Sequence, residues 1–382
     1  MATGRRVSEG VTAGTRPGGR PAAPEVDGLA RVLVAVPPEY GALVMATGIV
    51  AFACAGIGLR AVALALTWLN VVMFLVLACV FAARLALARR RTSQEFVDHA
   101  RGPGYFTWVA ATCVLASQVA TFLGAANVAR ALLAVAAAAW VGITYGFFAA
   151  VTLRRAKPRL EAALSGSWLL AVVATQAVAL LAVQVGGEGL AVVRAGGADQ
   201  SGMGADLVFG GLCLFLAGTV LYLLIIGLIF YRFTFLRIEA SQLAAPYWIN
   251  MGALAITTLT GATLLTEPGP EPLWSSVRPF LLGFTLLFWA FGSWWIPLLV
   301  VFGAWRHLVA KYPLRYAPEY WGLVFPLGMY GVASRQLAAH VGIGLMESVA
   351  SLFAWVALAA WAATFLGLLL TLMTASRRRA AA

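Results

Sequence analysis

Apolar residues in this chain come in long continuous runs, with no strict alternation and no regularly charged face. Residues 62–83 and 207–230 contain no charged side chain at all. About 20 residues of this kind cross a bilayer core as a helix, and their continuity excludes the alternating pattern of a membrane β-barrel. The pattern predicts ten helical spans, at 38–58, 62–86, 105–124, 129–152, 166–185, 206–231, 246–265, 278–304, 319–338 and 348–374. Only "LRA" (59–61) separates the first two spans and only "AANV" (125–128) the third and fourth. Links this short join antiparallel neighbours, so the spans pair into five hairpins.

The odd spans share two features. Each opens on an aromatic: Tyr40; Tyr105, Phe106 and Trp108; Trp168; Tyr247 and Trp248; Tyr320 and Trp321. Aromatics at a span entrance are interface anchors. The odd spans also carry polar residues at depth, in "TCVLASQ" (112–118), "ATQ" (174–176), "INMGALAITTLTGAT" (249–263) and "MYGVAS" (329–334). An unpaired polar group in hydrocarbon is costly, so these side chains face other helices or water. This predicts an inner ring of odd helices and an outer ring of even ones. The candidates for lining a passage are Thr47, Gly48, Thr112, Ser117, Gln118, Thr175, Gln176, Asn250, Thr257, Thr258, Tyr330 and Ser334.

The two ends of the chain repeat each other. "PEYGALVMATGIVAFA" (38–53) and "PEYWGLVFPLGMYGVA" (318–333) share Pro, Glu, Tyr, Leu, Val, Gly and Ala in register. Repeats that all enter from one side are parallel, related by an axis along the membrane normal. The expected fold is therefore an all-α integral membrane protein of ten transmembrane helices, built as five tandem parallel hairpins around a central pore. The copies differ where Phe325 and Pro326 replace Met45 and Ala46. Pro326 removes the N–H that would bond the Gly322 carbonyl and favours a kink there. Beside it, Phe325 either plugs a narrow pore as a gate or packs between helices.

Composition agrees with a membrane chain. Of 382 residues, 62% are hydrophobic and 11% charged, with mean hydropathy +0.87; soluble domains carry about a quarter charged residues. The net charge of +12 has a topological explanation. All Lys and Arg except Arg60, Arg130, Arg194, Arg278 and Arg335 fall on the side of the termini and of the links after even spans. Positive charge marks the cytoplasmic face, so both termini are expected inside and no nucleic-acid partner is needed. Residues 1–33 read as a disordered basic arm, 34–376 as the transport domain and 377–382 as a basic tail. The Gly-rich stretch 186–206 reads as a mobile outer connector.

Chemistry is sparse. The cysteines (Cys54, Cys79, Cys113 and Cys213) stand singly in apolar runs and read as small hydrophobes. The three histidines, His99, His307 and His340, lie at span ends or links, so paired haem ligands, a metal site, a cofactor and an enzyme activity are not expected. No inner span holds a charged group at mid-depth, which removes the usual mark of a proton relay or voltage sensor. Five inner helices would aim their positive N-termini at a basic cytoplasmic mouth, which concentrates anions. Glu39 and Glu319 at that mouth either pair with basic loops or favour the first helical turn.

The segments "PPEYGALVMATGIVA", "RGPGYFTWVAATCVLASQ", "WLLAVVATQAVA", "APYWINMGALAITTLTGA", "FLLGFTLLFWAFGSWWIPLL" and "YWGLVFPLGMYGVA" together resemble the tellurite-resistance/dicarboxylate transporter family, which includes plant slow anion channels and fungal malate permeases. The resemblance covers roughly 35–375. It implies ten helices in five hairpins, often a homotrimer, and passive or coupled anion transport with a ninth-helix Phe, here Phe325, occluding the pore. The expected protein moves C4-dicarboxylates or small oxyanions across the plasma (bacterial inner) membrane. A sulfite or tellurite exporter is the alternative, and a membrane receptor or scaffold the more distant one.

Overall fold

The computed structural model describes residue 33 and residues 36–194 and 202–380. Most of the basic arm and part of the outer connector therefore lie outside the described residues. The described residues form helices, turns and loops, with no strand among them. Ten long helices follow one another: α1 (Gly41–Gly56), α2 (Arg60–Leu87), α3 (Phe106–Leu123), α4 (Ala126–Leu153), α5 (Leu170–Arg194), α6 (Met203–Phe235), α7 (Ile249–Thr266), α8 (Leu273–Ala304), α9 (Trp321–Val341) and α10 (Gly344–Ala380).

Nine of them are long and apolar enough to cross a membrane. The exception is α9, whose apolar content is diluted by Gly, Pro326, Ser334, Arg335 and Gln336. Its surroundings explain why this is tolerated. It is wrapped by α1, α7 and α10, so protein replaces lipid over most of its surface.

The predicted boundaries shift outward at several ends. The stretch expected as a Gly-rich connector is helical to Arg194 and again from Met203. Gly186 there serves close approach: a Cβ on it would come within 2.7 Å of the Gly204 carbonyl oxygen. At the other end, α10 runs on through the basic residues to Ala380, because Arg and Ala are good helix formers in water.

Each odd helix begins with a 3₁₀ turn: Pro38–Tyr40, Gly102–Tyr105, Gly166–Leu169, Ala245–Trp248 and Pro318–Tyr320. Four of these carry Pro at their first or second position, where its missing N–H costs nothing and its fixed φ starts the helix. The third instead uses Ser165, whose Oγ accepts from the Ser167 N–H at 3.3 Å. The five turns touch one another in a closed cycle. The odd helices do likewise, in the order α1, α3, α5, α7, α9 and back to α1, while each even helix packs on its own odd partner and on the next odd helix. Odd helices are mostly buried, whereas even helices keep most of their residues at least partly exposed.

Arginines brace this arrangement from the ends of even helices. Arg84 donates to the Val36 carbonyl and to Glu95. Arg232 donates to the Leu164 carbonyl and to the Tyr247 hydroxyl. Arg306 donates to the Leu243 carbonyl at 2.7 Å. Each accepting carbonyl lies two residues before the 3₁₀ turn of the same hairpin. All three arginines are buried, so charges that the sequence presents as a basic face include structural ties between the two helices of a hairpin.

Candidate functional site

A cavity of about 200 Å³ lies among the five odd helices. Its inner end is apolar, formed by Ile49 of α1, Cys113 and Val114 of α3, Ala177 of α5, Ile256 of α7 and Met329 of α9. Towards the other end the lining turns polar, with Ser117, Gln184, Thr263, Glu267 and Gln336. The spacing is that of a single helix face: 177, 180 and 184 on α5, and 329, 332 and 336 on α9.

One turn inward from the apolar end of the cavity stand Met45, Ala110, Val173, Ala253 and Phe325, one per odd helix. They are 1, 0, 0, 0 and 2% exposed and belong to one continuous core. Phe325 is the largest of the five. Helix α9 continues through Pro326, and α7 makes room for the ring with Gly252, where a Cβ would lie 2.7 Å from the proline Cγ. Gly322 is loosely surrounded, since a Cβ there would reach only Ile249, at 3.7 Å.

Of the twelve polar and glycine candidates, the structure places Ser117 in the cavity wall. Many of the others serve helix packing. Thr47 accepts from Trp361 Nε1 of α10 at 2.9 Å, and Thr175 from Trp140 Nε1 of α4 at 2.9 Å. Ser334 accepts from Trp289 Nε1 of α8 at 2.9 Å. The Tyr330 hydroxyl pairs with Ser293 Oγ of α8 at 2.6 Å. Gln118 Oε1 accepts from Asn70 of α2 at 2.6 Å, and its Nε2 donates to Thr67. Gln176 donates to the Phe215 carbonyl of α6 at 3.0 Å. Thr112, Thr257 and Thr258 bond back to carbonyls one turn earlier in their own helices. Gly48 lets α1 approach Val114 and Gln118. Asn250 is fully buried and its amide has no hydrogen-bond partner among the described residues.

The reason for this division is the lipid-facing ring. An indole N–H on an even helix has no partner in hydrocarbon, so it donates inward to a hydroxyl on an odd helix. The cavity's own polar groups lie nearer the helix ends. Ser117 donates to Gln184 Oε1 at 2.7 Å, and Gln336 Nε2 donates to Thr266 Oγ1 at 3.0 Å, which in turn pairs with His340 at 2.9 Å. Glu267, just beyond the end of α7, is partly buried. Burial, reinforced by the neighbouring Glu188 carboxylate, holds its carboxyl above the usual carboxylate range. Sequence reading missed Gln184, Glu267 and Gln336 because they sit at or past span ends. The available signal was the i, i+3, i+7 spacing from mid-span residues.

Residues 35–369 match the voltage-dependent anion channel family (SLAC1). An uncharacterized membrane protein of Mycobacterium tuberculosis is 40% identical over 149 residues, covering 39% of this chain and 75% of that protein. An uncharacterized transporter of Methanocaldococcus jannaschii is 28% identical over 151 residues, 39% of this chain and 42% of that protein. With the family match extending over most of its length, the chain belongs to the voltage-dependent anion channel family.

Proposed function

We propose that this protein is an anion channel or transporter of the plasma (bacterial inner) membrane, moving C4-dicarboxylates or small oxyanions along the axis of its odd helices. In this reading all ten helices cross the bilayer as five parallel hairpins. The ring of 3₁₀ turns and both termini face the cytoplasm, and the copies assemble as homotrimers through the exposed even helices. Phe325 is the gate. The observation that carries the reading is the cavity among the five odd helices that stops one turn short of Phe325, in a chain of an anion-channel family.

The second reading, a sulfite or tellurite exporter, uses the same passage and differs only in cargo. Reconstitution into liposomes with malate, nitrate, chloride and sulfite, with and without a pH gradient, tests both. Saturable malate flux driven by protons marks a carrier, and fast unsaturated nitrate or chloride current a channel. Sulfite flux without malate flux favours the exporter, and no flux of any of the four ends the proposal.

A further inference from the structure

Among the described residues, the cavity wall contains one Asp or Glu, Glu267, and no Lys, Arg or His. For an anion pathway this is an awkward choice. An ionised carboxylate in a confined site repels an entering anion, and low-dielectric walls strengthen the repulsion. The same carboxyl, once protonated, is neutral and offers an O–H donor in place of an acceptor-only oxygen pair.

The other polar groups show why that donor matters. Ser117 spends its hydroxyl proton on Gln184 Oε1, Thr263 bonds back to the Leu259 carbonyl, and Gln336 donates to Thr266. Among the described residues the Gln184 amide N–H groups take part in no hydrogen bond, so with the second N–H of Gln336 they are the neutral donors available in the cavity wall. Glu267 sits close by: a Cβ added to Gly187, three residues beyond Gln184 on the same helix, would collide with its carboxylate. The absence of a side chain at Gly187 seats this group at the mouth.

Resting on the anion-pathway reading above, we propose that the cavity binds its anion together with a proton carried by Glu267, so that a species with acceptor oxygens enters only when this carboxyl is neutral. The ligand class is a small oxyanion or carboxylate, held by the Glu267 O–H and the Gln184 amide. Among residues whose side chains are described, the charged and titratable groups on the surrounding elements are Glu188 on α5, Asp206 at the start of α6, Glu271 and Arg278 on the α8 side, and Arg335 and His340 on α9. Arg278 donates to the Leu265 carbonyl, Arg335 to Ser351 of α10, and His340 pairs with Thr266. Burial and Glu188 both favour the neutral carboxyl. A raised pKa means that the neutral form persists to higher pH than for a free carboxylate and is lost as pH rises further.

The test uses nitrate as probe in proteoliposomes of the full chain, in the native and Phe325→Ala forms, because nitrate stays ionised throughout and any pH dependence belongs to the protein. Flux should fall roughly tenfold as the pH at this mouth rises from about 5 to 8. Glu267→Gln should hold the acid-side flux at every pH. Glu188→Gln removes a charge that raises the Glu267 pKa, so the fall should remain with its midpoint moved to lower pH. Flux through Glu267→Gln with the parent's pH profile overturns the proposal while leaving the anion pathway standing. Absence of nitrate flux in all forms removes nitrate conduction and this inference with it, and malate flux in the same vesicles then decides the pathway itself. If Glu267→Gln does not assemble, an unmoved midpoint in Glu188→Gln is the contrary result.

Discussion

The indole N–H of Trp361 donates to the hydroxyl of Thr47 at 2.9 Å, across 314 positions of sequence. The bond ties α10 to α1 and closes the ring of helices. The same kind of link recurs where Trp140 meets Thr175 and where Trp289 meets Ser334, so even helices repeatedly hand one N–H to the odd helix of the next hairpin. Between α2 and α3 the pair Asn70 and Gln118 takes this place.

Removing either partner of the closing bond should destabilise the protein by about 1 kcal/mol, the usual scale for hydrogen bonds between membrane helices. Trp361→Phe and Thr47→Val should each show this cost in detergent unfolding curves. The double variant should cost little more in hydrogen bonding than either single one. Fully additive losses would mean that the two side chains act independently.

The arginine ties predict a larger effect. Arg232→Met abandons the Leu164 carbonyl and the Tyr247 hydroxyl inside the protein, which should cost about 3 kcal/mol. Arg232→Lys should rescue in part, since Nη1 alone donates to both acceptors and one ammonium nitrogen can do the same. Exposed Arg130 provides the contrast, with Arg130→Gln expected within about 0.5 kcal/mol of the parent. Thermal unfolding of the three variants side by side checks the order.

Gly252→Ala tests the seat of Pro326. The added Cβ would lie 2.7 Å from the proline Cγ, so α7 and α9 must separate. Overpacking of this kind costs about 1–3 kcal/mol. The expected outcome is a less stable protein with altered anion flux, while Gly322→Ala, whose Cβ would find Ile249 only at 3.7 Å, should leave stability within about 1 kcal/mol.

Much of this architecture can be read from the chain. Long uncharged runs mark the helices, "PEY" marks two of the five openings, and aromatics mark all five. The distinction between inward and sideways polar residues is harder. Gln118 and Gln184 are the same residue type on neighbouring odd helices, yet one bonds α2 and the other lines the cavity. Only the rotational phase of each helix separates them, and tertiary packing sets that phase. Arg84 and Arg306 raise the same difficulty: a basic residue at a helix end reads identically whether it meets water or a buried carbonyl. Gln336 and Glu267 escaped notice because polar residues near a span end are ordinary interface residues in most membrane helices.

The most direct measurement is anion flux through Phe325→Ala in liposomes, compared with the parent chain and with Met45→Ala from the same layer. If Phe325 closes the passage, shortening its side chain connects the cavity to the face that carries the five 3₁₀ turns, and flux of nitrate or malate should rise at least about tenfold. Met45→Ala, which removes a smaller and more flexible side chain, should raise it less. Parent-level flux through a folded Phe325→Ala protein would contradict the account.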